Sequence, residues 1–255
     1  GGDVDANLAV IEPLIVAAKK QGAELVLLPE YFGIFGARAT DKVDARESDG
    51  RGPQQDFLSR VAREQRLWLI GGTVPIATAD PARVRSASLV YDPHGQQIAR
   101  YDKIHLFAFN QGDERYDESS TIESGSAGVT FESPVGRVGL SVCYDLRFPE
   151  LYRSYRDVAL IVVPSAFTAV TGAAHWHVLL KARAIENQCY VLAAAQGGTH
   201  ANGRRTYGHS VLIDPWGTVV AELADGAGVI VGEVDGARIA QVRRDLPALS
   251  HRRLV

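Results

Sequence analysis

The feature that most constrains this chain is a set of short, wholly apolar runs. "LVLL" at 25–28, "WLIGGTV" at 68–74, "VALIVV" at 158–163 and "CYVLAAA" at 189–195 carry no polar face and stop at proline or, in the last, at glutamine. Runs of this length and composition read as strands covered on both sides, as in α/β proteins. Between them lie segments of helical period. In "DVDANLAVIEPLIVAAKKQG", Leu8, Ile11, Ile15 and Ala18 share one face, Asp3 or Asp5 can cap the start and Gly22 ends it, while Pro13 is expected to kink the helix or delay its start. "PQQDFLSRVAREQ", a stretch from about Leu146 to Tyr155, "AHWHVLLKARAIENQ" and "GARIAQVRRDL" are further helices.

The remaining strands read as a hairpin in "SASLVYDPHGQQIARYDKIHLF", then "VTFES", "GRVGLSVC", "HSVLIDPWG", "TVVAEL" and "GVIVGEV". "GDERYDESSTIESGSAG" and "GGTHANGRRTYG" read as loops. The chain is therefore expected to be a layered α/β fold with a mixed sheet. With 255 residues, 46% hydrophobic and 22% charged, it can bury a full core as one domain.

A net charge of −3, with Lys and Arg spread along the chain, argues against nucleic acid as a partner. No apolar run reaches the roughly 20 residues that span a bilayer, so no membrane partner is expected. Two cysteines without metal-ligand or disulfide spacing point to a reducing, cytoplasmic setting. There is no methionine, and the chain opens "GGDVDANLAV", so an N-terminal segment is expected to be missing.

Cys143 closes the run "GLSVC" at the point where the chain leaves a strand for "YDLRFPE". Free cysteines are among the most buried residues, so an inert core thiol is the ordinary reading, and Cys189, opening an apolar strand, keeps it. Glu30 follows "LVLLP" and Lys103 follows "QQIARYD" in the same way. Either alone would be a solvated charge, but three strand ends delivering a carboxylate, an ammonium and a thiol can share one rim of a sheet, where active sites form. "GLSVC" also imitates the start of a serine nucleophile elbow, yet Ser141 lies inside the strand. The "HWH" at 175–177 opens a helix, where residues two apart point about 200° from each other, so no metal is expected there. Arg147 has Asp145 and Glu150 as expected structural partners, although its planar fork also suits a substrate carboxylate. Phe167, Thr168 and His175, near the end of "LIVVP", are candidate pocket residues.

"LLPEYF", "RYDKIHLF" and "GLSVCYDLRFPEL" together resemble the three catalytic motifs of the nitrilase superfamily, the carbon–nitrogen hydrolases, in order and in spacing. The resemblance covers nearly the whole chain. It implies a four-layer αββα sandwich over residues 1–255, a Glu-Lys-Cys triad of Glu30, Lys103 and Cys143, and assembly as a homodimer or higher homo-oligomer. The family's second glutamate matches Glu118 in "DESSTIESG", and a strand that normally precedes the first helix is not visible here.

Two further stretches, "PSAFTAVTGAAHWHVLLKARAIENQCYVLAAAQGG" and "YGHSVLIDPWGTVVAE", resemble the branch containing deaminated glutathione amidase and, somewhat less, omega-amidase. His177 departs from the Glu usual in that branch. The implied function is hydrolysis of a small-molecule linear amide through a Cys143 thioester. Glu30 acts as base, Lys103 and the Tyr144 backbone N–H hold the oxyanion, and no cofactor is required. Deaminated glutathione is the expected substrate, with α-ketoglutaramate or a broader set of aliphatic amides as the alternative. A catalytically silent assembly module is the reading from a different class, and the intact triad speaks against it.

Overall fold

The computed structural model describes residues 1–111 and 114–253. Strands β1 (Leu25–Leu27), β2 (Trp68–Ala77), β3 (Val84–Tyr91) and β4 (Gln97–Asp102) form one sheet in that order, with β1 parallel to β2 and the next two pairings antiparallel. Two antiparallel steps return β4 to the direction of β1, so the residues that follow these two strands emerge at the same edge. Strands β5 (Ala108–Gln111) and β6 (Glu114–Asp117) make a small separate hairpin. The second sheet contains β7 (Thr130–Ser133), β8 (Gly136–Leu140), β9 (Leu160–Val162), β10 (Tyr190–Ala193), β13 (Ser210–Ile213) and β14 (Val219–Leu223). Within it β8, β9 and β10 run parallel. A two-stranded ribbon, β11 (Gly197–Thr199) with β12 (Arg205–Tyr207), stands beside it.

Burial on both faces of the apolar runs produces the layers. Leu69, Leu89 and Tyr91 of the first sheet pack with Leu8 and Ile15 of helix α1 (Val4–Lys20) and Leu58 and Val61 of α3 (Pro53–Gln65), which follows the short α2 (Asp41–Asp44). Ile70 and Val90, one residue along, face the other way. They join Phe131, Val138 and Leu140 of the second sheet in a common core. On that sheet's far side lie α4 (Pro149–Ser154) and α5 (Ala169–Asn187), whose Trp176, Leu180 and Ala184 enter the same core. The final helix α6 (Gly236–Asp245) adds Ile239 to it. The result is the expected four-layer αββα sandwich. Among the described residues, no helix is long and apolar enough to cross a membrane.

Several local expectations are corrected. Pro13 neither delays nor ends α1, which starts at the Asp3 cap and runs on to Lys20. Pro13 and Ala9 are both exposed, so water can satisfy the carbonyl that loses its partner. The helix foreseen from about Leu146 shortens to Pro149–Ser154, because Cys143–Arg147 forms a 3-10 turn and Phe148, before a proline, is extended. Helix α5 begins at Ala169, earlier than foreseen, because the Thr168 side chain caps it by accepting from Thr171 N. The first polar loop carries β6, which pairs with the β5 that precedes it, and the second contains the whole β11–β12 ribbon. "GVIVGEV", 228–234, alternates like a strand but pairs with none. It borders a groove of about 1090 Å³ shared with α1 and β1.

Candidate active site

Four chain segments meet at one rim. Glu30 lies three residues beyond β1, on a turn that crosses β2 so closely that a Cβ on Gly72 would sit 1.8 Å from the Pro29 carbonyl oxygen. Only glycine permits that approach, so Gly72 of the "GG" at 71–72 serves to seat the carboxylate. Lys103 directly follows β4, its N–H donating to Ser86 O at 3.0 Å. Glu118 heads a single 3-10 turn after β6. Cys143 lies past the end of β8 in the left-handed region, at φ +48°, with its N–H donating to Pro164 O at 3.0 Å. A non-glycine residue held there stores strain, as functional residues often do.

The Lys103 ammonium is fully buried and donates to Glu30 Oε1 at 2.8 Å and to Glu118 Oε2 at 2.7 Å. Burial opposes its charge, but the two carboxylates outweigh this and hold its pKa well above the ordinary lysine value. Glu118 accepts from Phe107 N at 2.7 Å and from the Tyr31 hydroxyl at 2.6 Å. Burial would raise its pKa, yet Lys103 and Lys42 together bring it down to about 2. The Cys143 thiol goes the other way. Burial, then the Glu30 charge, push it well above the ordinary cysteine value, with Lys103 and a hydrogen bond from the Ala166 backbone acting in the opposite sense. The three groups thus form a buried ion-paired set beside a thiol held toward its protonated form.

A small cavity opens on the sulfur, lined by Phe107, Tyr144, Arg147, Phe167, Thr171 and Arg204 among others. Arg147 does not pair with Asp145 or Glu150 as expected. Its guanidinium lies 5.7 Å from the Tyr144 ring centroid and 5.5 Å from that of Phe167, and 3.2 Å from His175 Nδ1. Asp145 is taken by other partners: Tyr101 Oη at 2.7 Å, Val142 N at 2.8 Å, and His105 through both N and Nδ1 at 3.0 and 2.7 Å. Thr168 lines the cavity as well as capping α5. His175 is exposed and reaches the site only through Arg147.

The serine-nucleophile reading falls away: Ser141 is buried, donates to Val162 O at 2.8 Å and accepts from the Tyr152 hydroxyl at 3.0 Å. Cys189 is a fully buried core thiol, which burial pushes up to about 12. Sequence reasoning missed Asp145, Arg204 and the Tyr31 hydroxyl. Arg183, also missed, is buried on α5 and donates to Leu146 O at 2.8 and 3.1 Å, fastening the helix to the turn that carries Cys143.

Residues 2–244 match the family model described as carbon-nitrogen hydrolase. The chain is 42% identical over 252 residues to the deaminated glutathione amidase of Synechocystis sp., covering 96% of this chain and 92% of that protein. It is 40% identical over 260 residues to the deaminated glutathione amidase of Yersinia enterocolitica, covering 100% of this chain and 90% of the other. Among solved structures, the NitFhit protein of C. elegans superposes with a TM-score of 0.92 at 38% identity. That match covers 99% of this chain and 62% of the longer NitFhit chain.

Proposed function

Since the chain belongs to the carbon-nitrogen hydrolase family and is accordingly a hydrolase of carbon–nitrogen bonds other than peptide bonds, we propose that it removes the α-ketoglutaramyl group from deaminated glutathione, releasing α-ketoglutarate and Cys-Gly. The names of its amidase relatives support the substrate. The observation that carries the mechanism is the Lys103 ammonium bound between Glu30 and Glu118 next to a buried, strained thiol.

In this reading Glu30 takes the Cys143 proton as the sulfur attacks the amide carbonyl, so a strongly basic thiolate never has to persist. The tetrahedral oxyanion is held by Lys103 and the Tyr144 backbone N–H, donors worth about 3 kcal/mol each in comparable sites. Glu30 returns the proton to the departing amine and then activates a water, which hydrolyses the thioester and frees the thiol. Glu118, kept ionised at a pKa of about 2, fixes Lys103 in place without competing for protons near neutrality. Arg147 pairs with His175 Nδ1 and with no carboxylate among the described residues, which suits it to a carboxylate of the substrate.

The exposed apolar residues Val170, Val178 and Ile185 on one side of α5, with Trp216 and Val220 nearby, support assembly with a second copy of the chain. The deciding experiment incubates purified protein with deaminated glutathione and with α-ketoglutaramate. Release of α-ketoglutarate with a higher kcat/KM on the former supports the reading. Turnover of another amide but not of deaminated glutathione would sink the substrate assignment while leaving the chemistry standing.

A further inference from the structure

Away from the thiol, three potential ligand side chains converge from three elements distant in sequence. His177 lies on α5, His209 immediately precedes β13, and Glu222 lies on β14. His177 Nε2 and His209 Nδ1 both approach the same carboxylate oxygen, Glu222 Oε1, at 2.9 and 2.5 Å. The three ligand atoms all lie within 4.8 Å of one another.

The rings are also held in place. His209 sits in the left-handed region at φ +58° and stacks on Tyr207 with centroids 4.2 Å apart, while the His177 ring stands edge-on to it at 80°. The backbone of His209 is anchored too, because its carbonyl accepts from Trp176 Nε1 at 2.9 Å. Each of the three side chains keeps between a quarter and a third of its surface exposed in the single chain, so a small ion can reach the cluster there from solvent.

We propose that His177, His209 and Glu222 form a binding site for a divalent transition-metal ion of the zinc type, separate from the amide-cleaving centre. The donor set decides the class of ion. Two imidazole nitrogens and one carboxylate oxygen suit zinc and its neighbours, whereas calcium and magnesium call for oxygen ligands in greater number.

The spacing is close to what such an ion needs. Ligand atoms about 2.0–2.2 Å from a tetrahedral zinc lie roughly 3.3 Å from one another, so the His–Glu separations open by under about 1 Å. Each ring then binds through a lone pair. The N–H that points at Oε1 is given up and the ring's other nitrogen carries the proton instead, so a neutral ring binds with no net proton released. Water fills the fourth position. The bound ion ties α5 to the β13–β14 edge of the second sheet.

The sequence set "HWH" aside as a metal motif because residues two apart on a helix diverge. The structure agrees, with His175 turned to Arg147 and His177 turned to Glu222. What the sequence could not display is that His177 finds its partners 32 and 45 residues further on.

The test is calorimetric titration of the full chain with Zn²⁺ alone, in a non-chelating buffer. The Cys143→Ala background removes the catalytic thiol as a rival ligand. One saturable equivalent and a raised melting temperature are expected. Adding His177→Ala should weaken binding by more than about 100-fold, since even residues that merely support a metal ligand are worth 10–100-fold. Glu222→Gln should weaken it as well while keeping both rings. If His209→Ala destabilises its turn, the solvent-facing His177→Ala still carries the test. No saturable binding, or binding and melting shift unchanged by His177→Ala, would overturn the proposal.

Discussion

Replacing Asp145 by asparagine probes how the thiol is held. Asp145 is fully buried, and its Oδ2 accepts from Tyr101 Oη and Val142 N while Oδ1 accepts from His105 N and Nδ1. Asparagine keeps the shape but replaces one acceptor by an NH2 donor. If the NH2 faces Tyr101, the hydroxyl can turn and accept, yet Val142 N–H loses its partner. If it faces His105, the ring can change tautomer, yet His105 N–H loses its partner. Either orientation strands one backbone N–H, at about 1–3 kcal/mol. Alanine strands both and should cost about 2–6 kcal/mol, a large share of the 5–15 kcal/mol by which a typical domain is stable. Because Val142 directly precedes the left-handed Cys143, loss of that anchor should also lower kcat. The assay is urea unfolding of Asp145→Asn beside the parent, with kcat measured on the same samples. A variant with the parent's unfolding midpoint and kcat would refute the reasoning.

Three other outcomes follow from the site and the surface. Cys143→Ala should abolish turnover while its melting temperature stays within a few degrees of the parent, checked by release of α-ketoglutarate and by calorimetry. The Glu118 pKa lies near 2, below its ordinary value of 4.5, so its ionised form adds stability that is complete above about 4.5 and lost as the pH falls toward 2. Acid unfolding of Glu118→Gln should accordingly be flatter over that window, and an unchanged profile would contradict the assignment. If the exposed apolar side of α5 joins two copies as proposed, Val178→Asp should shift sedimentation toward the monomer with the fold intact.

The proposed catalytic trio was legible because each member stands within three residues of the end of a strand, and strand ends are visible in sequence. Glu118 was legible only through its loop match, since nothing in "DESSTIESG" announces that Lys103 lies 2.7 Å away. Asp145 was not legible at all. Two of its partners, Tyr101 and His105, stand 44 and 40 residues upstream, and such long-range satisfaction of buried groups leaves no local pattern. Arg147 was misjudged for the same reason, because the neighbour assumed for it in sequence was already occupied in space. "GVIVGEV" shows the converse: alternation specifies which residues can face a core, but a strand also needs a neighbour to pair with. Pro13 adds a third case, in which an exposed helix face tolerates a residue that a buried one would not.

The basic, buried Cys143 thiol has a chemical consequence for the protein at rest. Peroxides and alkylating agents consume thiolates, and a sulfur that remains protonated near neutrality offers them little to react with. Generic electrophiles should therefore leave the resting protein largely unmodified. An electrophile shaped like the substrate, which enters the cavity and places its carbonyl against the sulfur while Glu30 receives the proton, should inactivate it quickly. Inactivation would then follow occupancy of the cavity and not the duration of exposure to oxidant.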